Sequence, residues 1–444
     1  MERHGKRASH LRSFFVIALI GLVEGASHRA SAETNALAAA PARKLSLTEA
    51  QRLAFQRNWD LLAARSDVDL ATAQRIVARE FPNPSVSLNT SKASTDRHPN
   101  STAMGNGVWE RSYDTIFAVN QLFEIGGKRA SRQASAAAGF NAAEARLQDA
   151  RRTLSLAVTQ AYVAALLAQT NVQILRQSAA SLRQETTIAE TRLNAGDISR
   201  ADKAQIEIAA DRLELDAKAA ESAATAARIA LEVLIGEKSP AGNWEAAESL
   251  EELAEWAPPS AESAPLALRP DLAAAEAVRR KAEADLRLQK AMRVPDPTVF
   301  LQYEHEPPDL PNTIGLGVSF PVPLWNRNRG NIKAAEAARE LADVQAEKVR
   351  ALIIGEIATA RVSFANALER WHRQRDQIQP KSADVRSTVS FAYEKGGASL
   401  LDLLIAERND NEVRLATAQA AADTANAGAS LRAALNVIEK RKTK

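Results

Sequence analysis

An internal duplication restricts what this chain can fold into. Residues of one type recur after 200 positions in the pairs Gly196 and Gly396, Ser199 and Ser399, Asp202 and Asp402, and Glu207 and Glu407. Repetition on this scale is typical of a structural unit that occurs more than once. We therefore expect about half of the chain to form one unit and the other half to repeat it.

The amino-terminal segment has the composition of a secretory signal peptide. Basic residues precede an apolar run at 14–23, which is too short to span a bilayer, and the small residues Ala30, Ser31 and Ala32 follow as a cleavage site. We expect residues 1–32 to be removed. The remaining chain then has 57 − 5 = 52 basic and 54 − 2 = 52 acidic residues. With no net charge, the mature chain gives no reason to expect nucleic acid as a partner.

Helical periodicity dominates both halves of the chain. An alanine-rich amphipathic stretch at 47–80 predicts the first helix. The stretch 129–194 lacks proline and predicts one helix of about 65 residues, about 98 Å long, and 330–393 predicts its counterpart. Glycine turns at about 194–199 and 394–399 end these long helices. The expected divisions are a first repeat at 33–235, a connector at 236–268, a second repeat at 269–438 and a tail at 439–444.

Alternating apolar and polar residues predict four half-buried strands. They are expected at about 85–91, 113–123, 298–304 and 313–322. Four strands alone would expose two edges and an apolar face. Several copies could instead close a barrel, the only β structure that spans a bilayer. The alternative is a soluble sheet that packs against the helices.

Together these features resemble the TolC-type outer-membrane efflux channels over essentially all of the mature chain. Two motifs are similar to the CzcC branch of that family, which serves heavy-metal efflux pumps: Phe123-Glu-Ile-Gly-Gly-Lys-Arg129 and Pro321-Val-Pro-Leu-Trp-Asn-Arg-Asn-Arg-Gly330. The resemblance implies a mainly α-helical chain with a small β part, in which a helix, β-hairpin, long helix and final helix occur twice. Three protomers would each give four strands to a twelve-stranded membrane barrel that continues into a periplasmic helical barrel. The connector at 236–268 would lie in the equatorial region.

The same resemblance implies a function. The chain would be a passive homotrimeric conduit in the lipid of the outer membrane, extending into the periplasm. An inner-membrane RND pump would drive export through a periplasmic adaptor protein, and the substrates would be divalent heavy-metal cations. One alternative is a channel of the same fold for multidrug efflux or type I secretion. Another is a soluble periplasmic adaptor or coiled-coil scaffold, although an adaptor would carry one helical hairpin and compact β domains.

The resemblance also assigns roles at the periplasmic tip. Residues of the two turns would dock the adaptor: Gly196, Ser199, Gly396, Gly397 and Ser399. The pore gate would contain Tyr393, Asp402 and its repeat equivalent Asp202. Where the family has a second aspartate and an arginine, this chain has Ile405 and Ala398. We expect the first turn mainly to dock the adaptor and the second mainly to close the pore.

Two roles are possible for Asp402. Three copies on one axis would form a ring of negative charge that attracts cations and repels anions. Alternatively, Asp402 is only a first-turn residue that the helix dipole stabilises.

No catalytic, cofactor or metal site is expected. Gly126-Gly127-Lys128 resembles the end of a phosphate-binding loop, but the upstream glycine is missing and Arg129 replaces the required Ser or Thr. The mature chain has three histidines, two methionines and no cysteine, which is too little soft-ligand chemistry for a selective metal site. If metal ions are exported, we expect a partner to select them.

Overall fold

The computed structural model describes residues 43–93, 112–256, 269–306 and 310–436. The expected signal peptide, the tail and the last part of the connector lie outside these ranges. The described chain is mainly α-helical with a small β part, as the sequence analysis expected. The helices are α1 (Leu47–Arg57), α2 (Trp59–Val77), α3 (Lys128–Ala195), α4 (Arg200–Leu234), α5 (Leu250–Ala254), α6 (Pro270–Ala291), α7 (Arg329–Arg373), α8 (Gln379–Glu394) and α9 (Leu400–Ala434). The strands are β1 (Arg43–Leu45), β2 (Ser85–Ala93), β3 (Ser112–Leu122), β4 (Trp244–Ala246), β5 (Thr298–Glu306) and β6 (Leu310–Ser319).

Four strands form an antiparallel sheet in the order β2-β3-β5-β6, so β2 and β6 are its edges. Residues in register across all four strands share one face. One apolar row consists of Val86, Val119, Leu301 and Leu316. The adjacent row on the other face consists of Ser87, Ala118, Gln302 and Gly315. Members of the apolar row are 37% to 76% exposed, so the described part of this protomer leaves that face uncovered.

The helices assemble around α3, which has 68 residues and packs along α2, α4, α6 and α9. Its middle holds the largest core cluster, in which Tyr162 is fully buried and stacks on Trp244 with 5.8 Å between ring centres. The Tyr162 hydroxyl donates to the Leu45 carbonyl oxygen at 2.8 Å. Since Leu45 and Trp244 belong to the parallel pair β1 and β4, this tyrosine anchors the start of the connector to the bundle.

The first helical stretch is divided, whereas the sequence analysis expected one helix at 47–80. Asn58 lies between α1 and α2 with φ −59° and ψ 129°, outside the helical region. Its side-chain oxygen accepts from the Leu61 amide at 3.0 Å, and its Nδ2 donates to the Leu234 carbonyl at 2.9 Å. One buried amide therefore caps α2 and also binds the end of α4.

The second long helix is also interrupted, whereas one continuous helix was expected at 330–393. A π-helical turn, Gln374–Ile378, separates α7 from α8, and Pro380 lies in the first turn of α8. Proline lacks an N–H, and its ring clashes with the carbonyl four residues earlier. The wider turn accommodates the proline while the helix axis continues.

Among the described residues, one helical segment, Arg329–Glu394, contains a stretch that could cross a membrane if length and composition alone are considered. Its first part, α7, packs against α6 and α9. Arg350 of α7 also forms an ion pair with Glu276 of α6 at 3.6 Å. These contacts place α7 in the helical bundle.

Candidate functional site: the paired helical turns

The two glycine turns share one backbone construction. Gly196 and Gly396 adopt left-handed conformations with φ +84° and +79°. The amide after each glycine donates to the carbonyl five residues earlier, at 2.9 Å and 2.7 Å respectively. This Schellman arrangement satisfies carbonyls at the end of a helix and favours glycine because other residues are strained there.

Each following helix begins with a capping box. The Asp402 amide donates to Ser399 Oγ at 3.2 Å, and Asp402 Oδ2 accepts from the Ser399 hydroxyl at 2.6 Å and amide at 3.1 Å. Ser199 and Asp202 make the same three bonds. The Ser399 side chain, followed by its backbone amide, lowers the pKa of Asp402, and the Ser199 backbone and side chain lower that of Asp202. Both carboxylates are therefore ionised at neutral pH.

The two aspartates differ in their surroundings. Asp402 is exposed, whereas Asp202 is half-buried. Leu401 and Ile405 near Asp402 are 66% and 48% exposed. The accessible start of α9 thus presents one carboxylate among large apolar side chains. Within the ranges that the structure describes, no group of three or more His, Cys, Asp or Glu could hold a metal ion.

The residues expected to dock an adaptor lie in the turns that join α3 to α4 and α8 to α9. All five are exposed: Gly196, Ser199, Gly396, Gly397 and Ser399. Their hydroxyls are partly used by the capping boxes, and the glycines present bare backbone. These five residues are small and have little side-chain entropy to lose, and exposed charged residues such as Asp197 and Lys395 lie beside them.

Arg192 joins the two turns. Its Nη1 donates to the Tyr393 carbonyl oxygen at 2.9 Å, and its guanidinium carbon lies 4.8 Å from the centre of the Tyr393 ring. No motif in the sequence indicated a role for Arg192. A basic residue in the last turn of a helix has an ordinary explanation in the helix dipole, and nothing local reveals a contact with the other repeat.

Tyr393 lies inside the protomer rather than on its surface. Its side chain is 1% exposed and packs with Ala189, Ile206 and Leu403 from α3, α4 and α9. Burial raises the pKa of the tyrosine. The structure therefore brings Tyr393 together with Arg192, while Asp402 faces solvent.

Replacing Arg192 with glutamine is expected to loosen the contact between the turns. The change removes a hydrogen bond from a charged donor, worth about 2 kcal/mol, and a cation–π contact. Hydrogen exchange at residues 389–403 should become about tenfold faster or more. Arg200→Gln is the matched control because Arg200 is exposed at the start of α4. Equal exchange in the two variants would contradict a bridging role for Arg192.

A largely buried ion pair joins the sheet to the helices. Lys128 Nζ forms an ion pair with Asp296 Oδ1 at 2.6 Å and donates to the Val294 carbonyl at 2.6 Å. The same Asp296 oxygen accepts from the Ile125 amide at 2.9 Å. The Lys128 side chain is only 8% exposed. The Gly126-Gly127-Lys128 motif of the first repeat is thus bound to the Pro295-Asp296-Pro297 turn of the second repeat.

Comparison with known proteins identifies the family and supports the fold. The sequence model of a family described as "Outer membrane efflux protein" matches residues 51–237 and 263–437. The cobalt-zinc-cadmium resistance protein CzcC of Cupriavidus metallidurans is 25% identical over 373 residues, which cover 84% of this chain and 85% of that protein. The probable outer membrane lipoprotein SilC of Salmonella typhimurium is 24% identical over 376 residues, with coverages of 80% and 78%.

Solved structures of channels share the architecture. The outer-membrane channel OprN aligns with a TM-score of 0.72 at 19% identity, covering 88% of this chain and 89% of that chain. CusC aligns with a TM-score of 0.71 at 17% identity, with coverages of 88% and 91%. At these identities the alignments show a common fold.

Proposed function

The chain belongs to the outer membrane efflux protein family, and we propose that it is the channel subunit of a three-part RND-type efflux system. It is an outer-membrane efflux channel, not an enzyme. In the proposal, three copies form a passive conduit that extends into the periplasm. A periplasmic adaptor and an inner-membrane pump deliver substrate to it. Residues 1–32 direct export of the chain and are then removed.

The uncovered sheet is the observation that carries this proposal. Both edge strands lack a partner among the described residues, and the apolar row faces away from the polar row. Three copies joined edge to edge, β6 of one to β2 of the next, would satisfy every edge. The apolar face would then contact lipid and the polar face would line a water-filled lumen.

Exposed apolar residues on the outer helices favour the same assembly. They are Leu70, Ile76 and Val77 on α2, and Leu341, Val344, Leu352, Ile354 and Val362 on α7. Each of these side chains is more than half exposed in the protomer. Exposed apolar residues that are concentrated on two helices mark a surface for interaction with another protein chain. Neighbouring copies of this chain would cover it.

At the tip, we assign different parts to the three gate residues. Asp402 faces the pore, and its three copies form an acidic ring. Tyr393 acts from the protomer interior by holding the second turn against Arg192. Asp202 supports the start of α4, consistent with its half-buried position. The exposed residues of both turns contact the adaptor. The first turn serves mainly to dock it, and the second turn serves mainly to close the pore.

Divalent heavy-metal cations are the proposed cargo. The relative CzcC is named for resistance to cobalt, zinc and cadmium. An acidic ring at the pore entrance would favour such cations over anions. The pump and adaptor would select among metals, because the mature chain contains no cysteine and few other soft ligands.

Conductance of the purified trimer in planar bilayers tests the gate. Asp402→Asn removes the charge but keeps an oxygen for the capping box. We expect the cation-to-anion permeability ratio to fall at least about threefold, because the ring loses three charges in a narrow pore. Block by multivalent cations should also weaken. Asp202→Asn is the matched control, and unchanged selectivity in Asp402→Asn would contradict the gate assignment.

Cellular tests address the conduit and its cargo separately. Deletion of the gene should increase sensitivity to zinc, cobalt or cadmium at least about tenfold while leaving drug sensitivity unchanged. Increased sensitivity to drugs alone would favour a multidrug channel of the same fold. Recovery of the protein only in the soluble periplasmic fraction would overturn the channel itself.

A further inference from the structure

Glu407 belongs to the duplicated motif but occupies a different environment from its counterpart. Its side chain is 5% exposed on α9. Glu207, the equivalent residue on α4, has a 45% exposed side chain and lies 3.5 Å from Lys203. The proposed channel function gives Glu407 no role, although burial of a carboxyl group is costly.

Glu407 lies where the first hairpin, α3 with α4, meets the second hairpin, α8 with α9. From α3, Ser181 Oγ donates to Glu407 Oε1 at 3.3 Å. From α8, Arg386 Nη1 is 3.2 Å from the same oxygen and 3.3 Å from Ser181 Oγ. Ser390 of α8 donates to Glu185 of α3 at 2.7 Å. These polar groups are therefore part of the contact between the two hairpins.

Carboxylates outnumber cations in this cluster. Glu185, Glu407 and Asp410 are 6%, 5% and 4% exposed. Arg386 is a cation that contacts two of them, with Nη1 3.2 Å from Glu407 Oε1 and Nε 3.4 Å from Asp410 Oδ2. Glu185 Oε2 and Asp410 Oδ1 are buried without a hydrogen-bond partner among the residues the structure describes. With every group ionised, three negative charges would face one positive charge.

We propose that Glu185, Glu407 and Asp410 form with Arg386 a proton-sensitive latch between the two hairpins. The inference rests on the proposed channel function, because the hairpins carry the tip turns. A proton on the cluster relieves the excess charge and keeps the hairpins packed. Loss of that proton restores repulsion, which separation and hydration of the carboxylates would relieve. The latch lies about 16 Å from the turns, since Glu185 precedes Gly196 by eleven helical residues.

The direction of the pH effect follows from burial. Desolvation raises the pKa of Glu407, while Arg386 opposes the shift and Glu185 adds to it. A carboxyl group with a raised pKa stabilises the packed state at low pH and loses that contribution as the pH rises through the raised value. The packed tip is therefore favoured by acidification and the separated tip by alkaline pH.

The absence of native cysteine permits a direct measurement. Spin labels at Asn194→Cys and Lys395→Cys would lie on the two exposed turns. In the detergent-solubilised trimer, we expect the population with separated turns to grow between pH 5 and pH 8.5. One released proton per protomer changes the equilibrium by up to about tenfold per pH unit.

Three substitutions test the assignment. Glu407→Gln resembles the protonated state and should keep the turns together with little pH response. Arg386→Gln removes the cation, so its midpoint should move to higher pH by at least about one unit. Glu207→Gln is the matched control and should behave as the wild type. Should Glu407→Gln not assemble, the shift in Arg386→Gln still decides the question.

Bilayer conductance recorded over the same pH range separates the latch from the channel. A pH-dependent turn distance that Glu407→Gln abolishes, with no conductance at any pH, would support the latch and overturn the channel function. Conductance with a pH-independent turn distance would overturn the latch alone. An unchanged pH response in Glu407→Gln would also overturn it.

Discussion

Replacing Gly236 with alanine is expected to lower the free energy of unfolding by about 3 kcal/mol per protomer, the sum of left-handed strain and overpacking. Gly236 follows α4 with φ +77°, and a Cβ there would lie 2.4 Å from the Arg57 carbonyl oxygen. The backbone fixes the position of the Cβ, and the carbonyl oxygen is itself a backbone atom. Rotation of a side chain therefore cannot relieve this contact. Thermal unfolding followed by circular dichroism should show a large drop in Tm and less folded trimer.

Gly139→Ala is the matched control for this prediction. Gly139 lies within α3, and a Cβ there would lie 3.8 Å from a side-chain carbon of Lys281, an ordinary contact. Alanine should therefore stabilise the helix by about 0.5–1 kcal/mol relative to glycine. A similar loss of stability in both variants would contradict the argument from the Arg57 carbonyl.

Replacing Lys128 with methionine should destabilise the junction between sheet and helices by about 3 kcal/mol, because it leaves a largely buried carboxylate without its cation. Asp296 is 19% exposed in its side chain and has Lys128 at 2.6 Å. The expected result is a lower Tm and slower assembly of the trimer in the membrane. The double variant Lys128→Met with Asp296→Asn should recover most of the loss, since the unpaired charge is then absent.

An exposed ion pair of the same length provides the comparison. Lys281 and Asp285 are also 2.6 Å apart, but their side chains are 45% and 36% exposed. Lys281→Met should therefore cost less than about 0.5 kcal/mol, because water screens an exposed pair. Equal losses in the two lysine variants would show that burial does not govern the energy at Lys128.

Much of the architecture was predictable because it depends on local patterns. Alternation of apolar and polar residues predicted the strands, and long stretches of helical composition predicted the helices. Departures arose where one residue acts through a distant contact or a special turn. Asn58 divides a stretch with helical periodicity, since its amide also binds the end of α4. Pro380 lies within a long helical stretch, and a π-helical turn accommodates it.

The candidate site could likewise be predicted only in part from the sequence. Motif spacing drew attention to the turns, and the resemblance to efflux channels suggested Asp402 and Tyr393. It did not indicate that Tyr393 is buried under Arg192, because the two residues are 201 positions apart and belong to different repeats. Nor did spacing indicate which carboxylates are buried, since burial depends on neighbouring helices.

The sequence by itself determined the repeated unit, the mainly helical class, and the glycine and serine that shape each turn. The helical class and the turns depend on residues within a few positions of one another, and the repeat is visible when two such segments are aligned. Only the tertiary structure decided that two matching glutamates have opposite surroundings, Glu207 near solvent beside Lys203 and Glu407 buried beside Arg386. The physical reason is that dielectric environment and charge balance depend on the helices packed around a side chain. Two copies of one motif can therefore carry different chemistry.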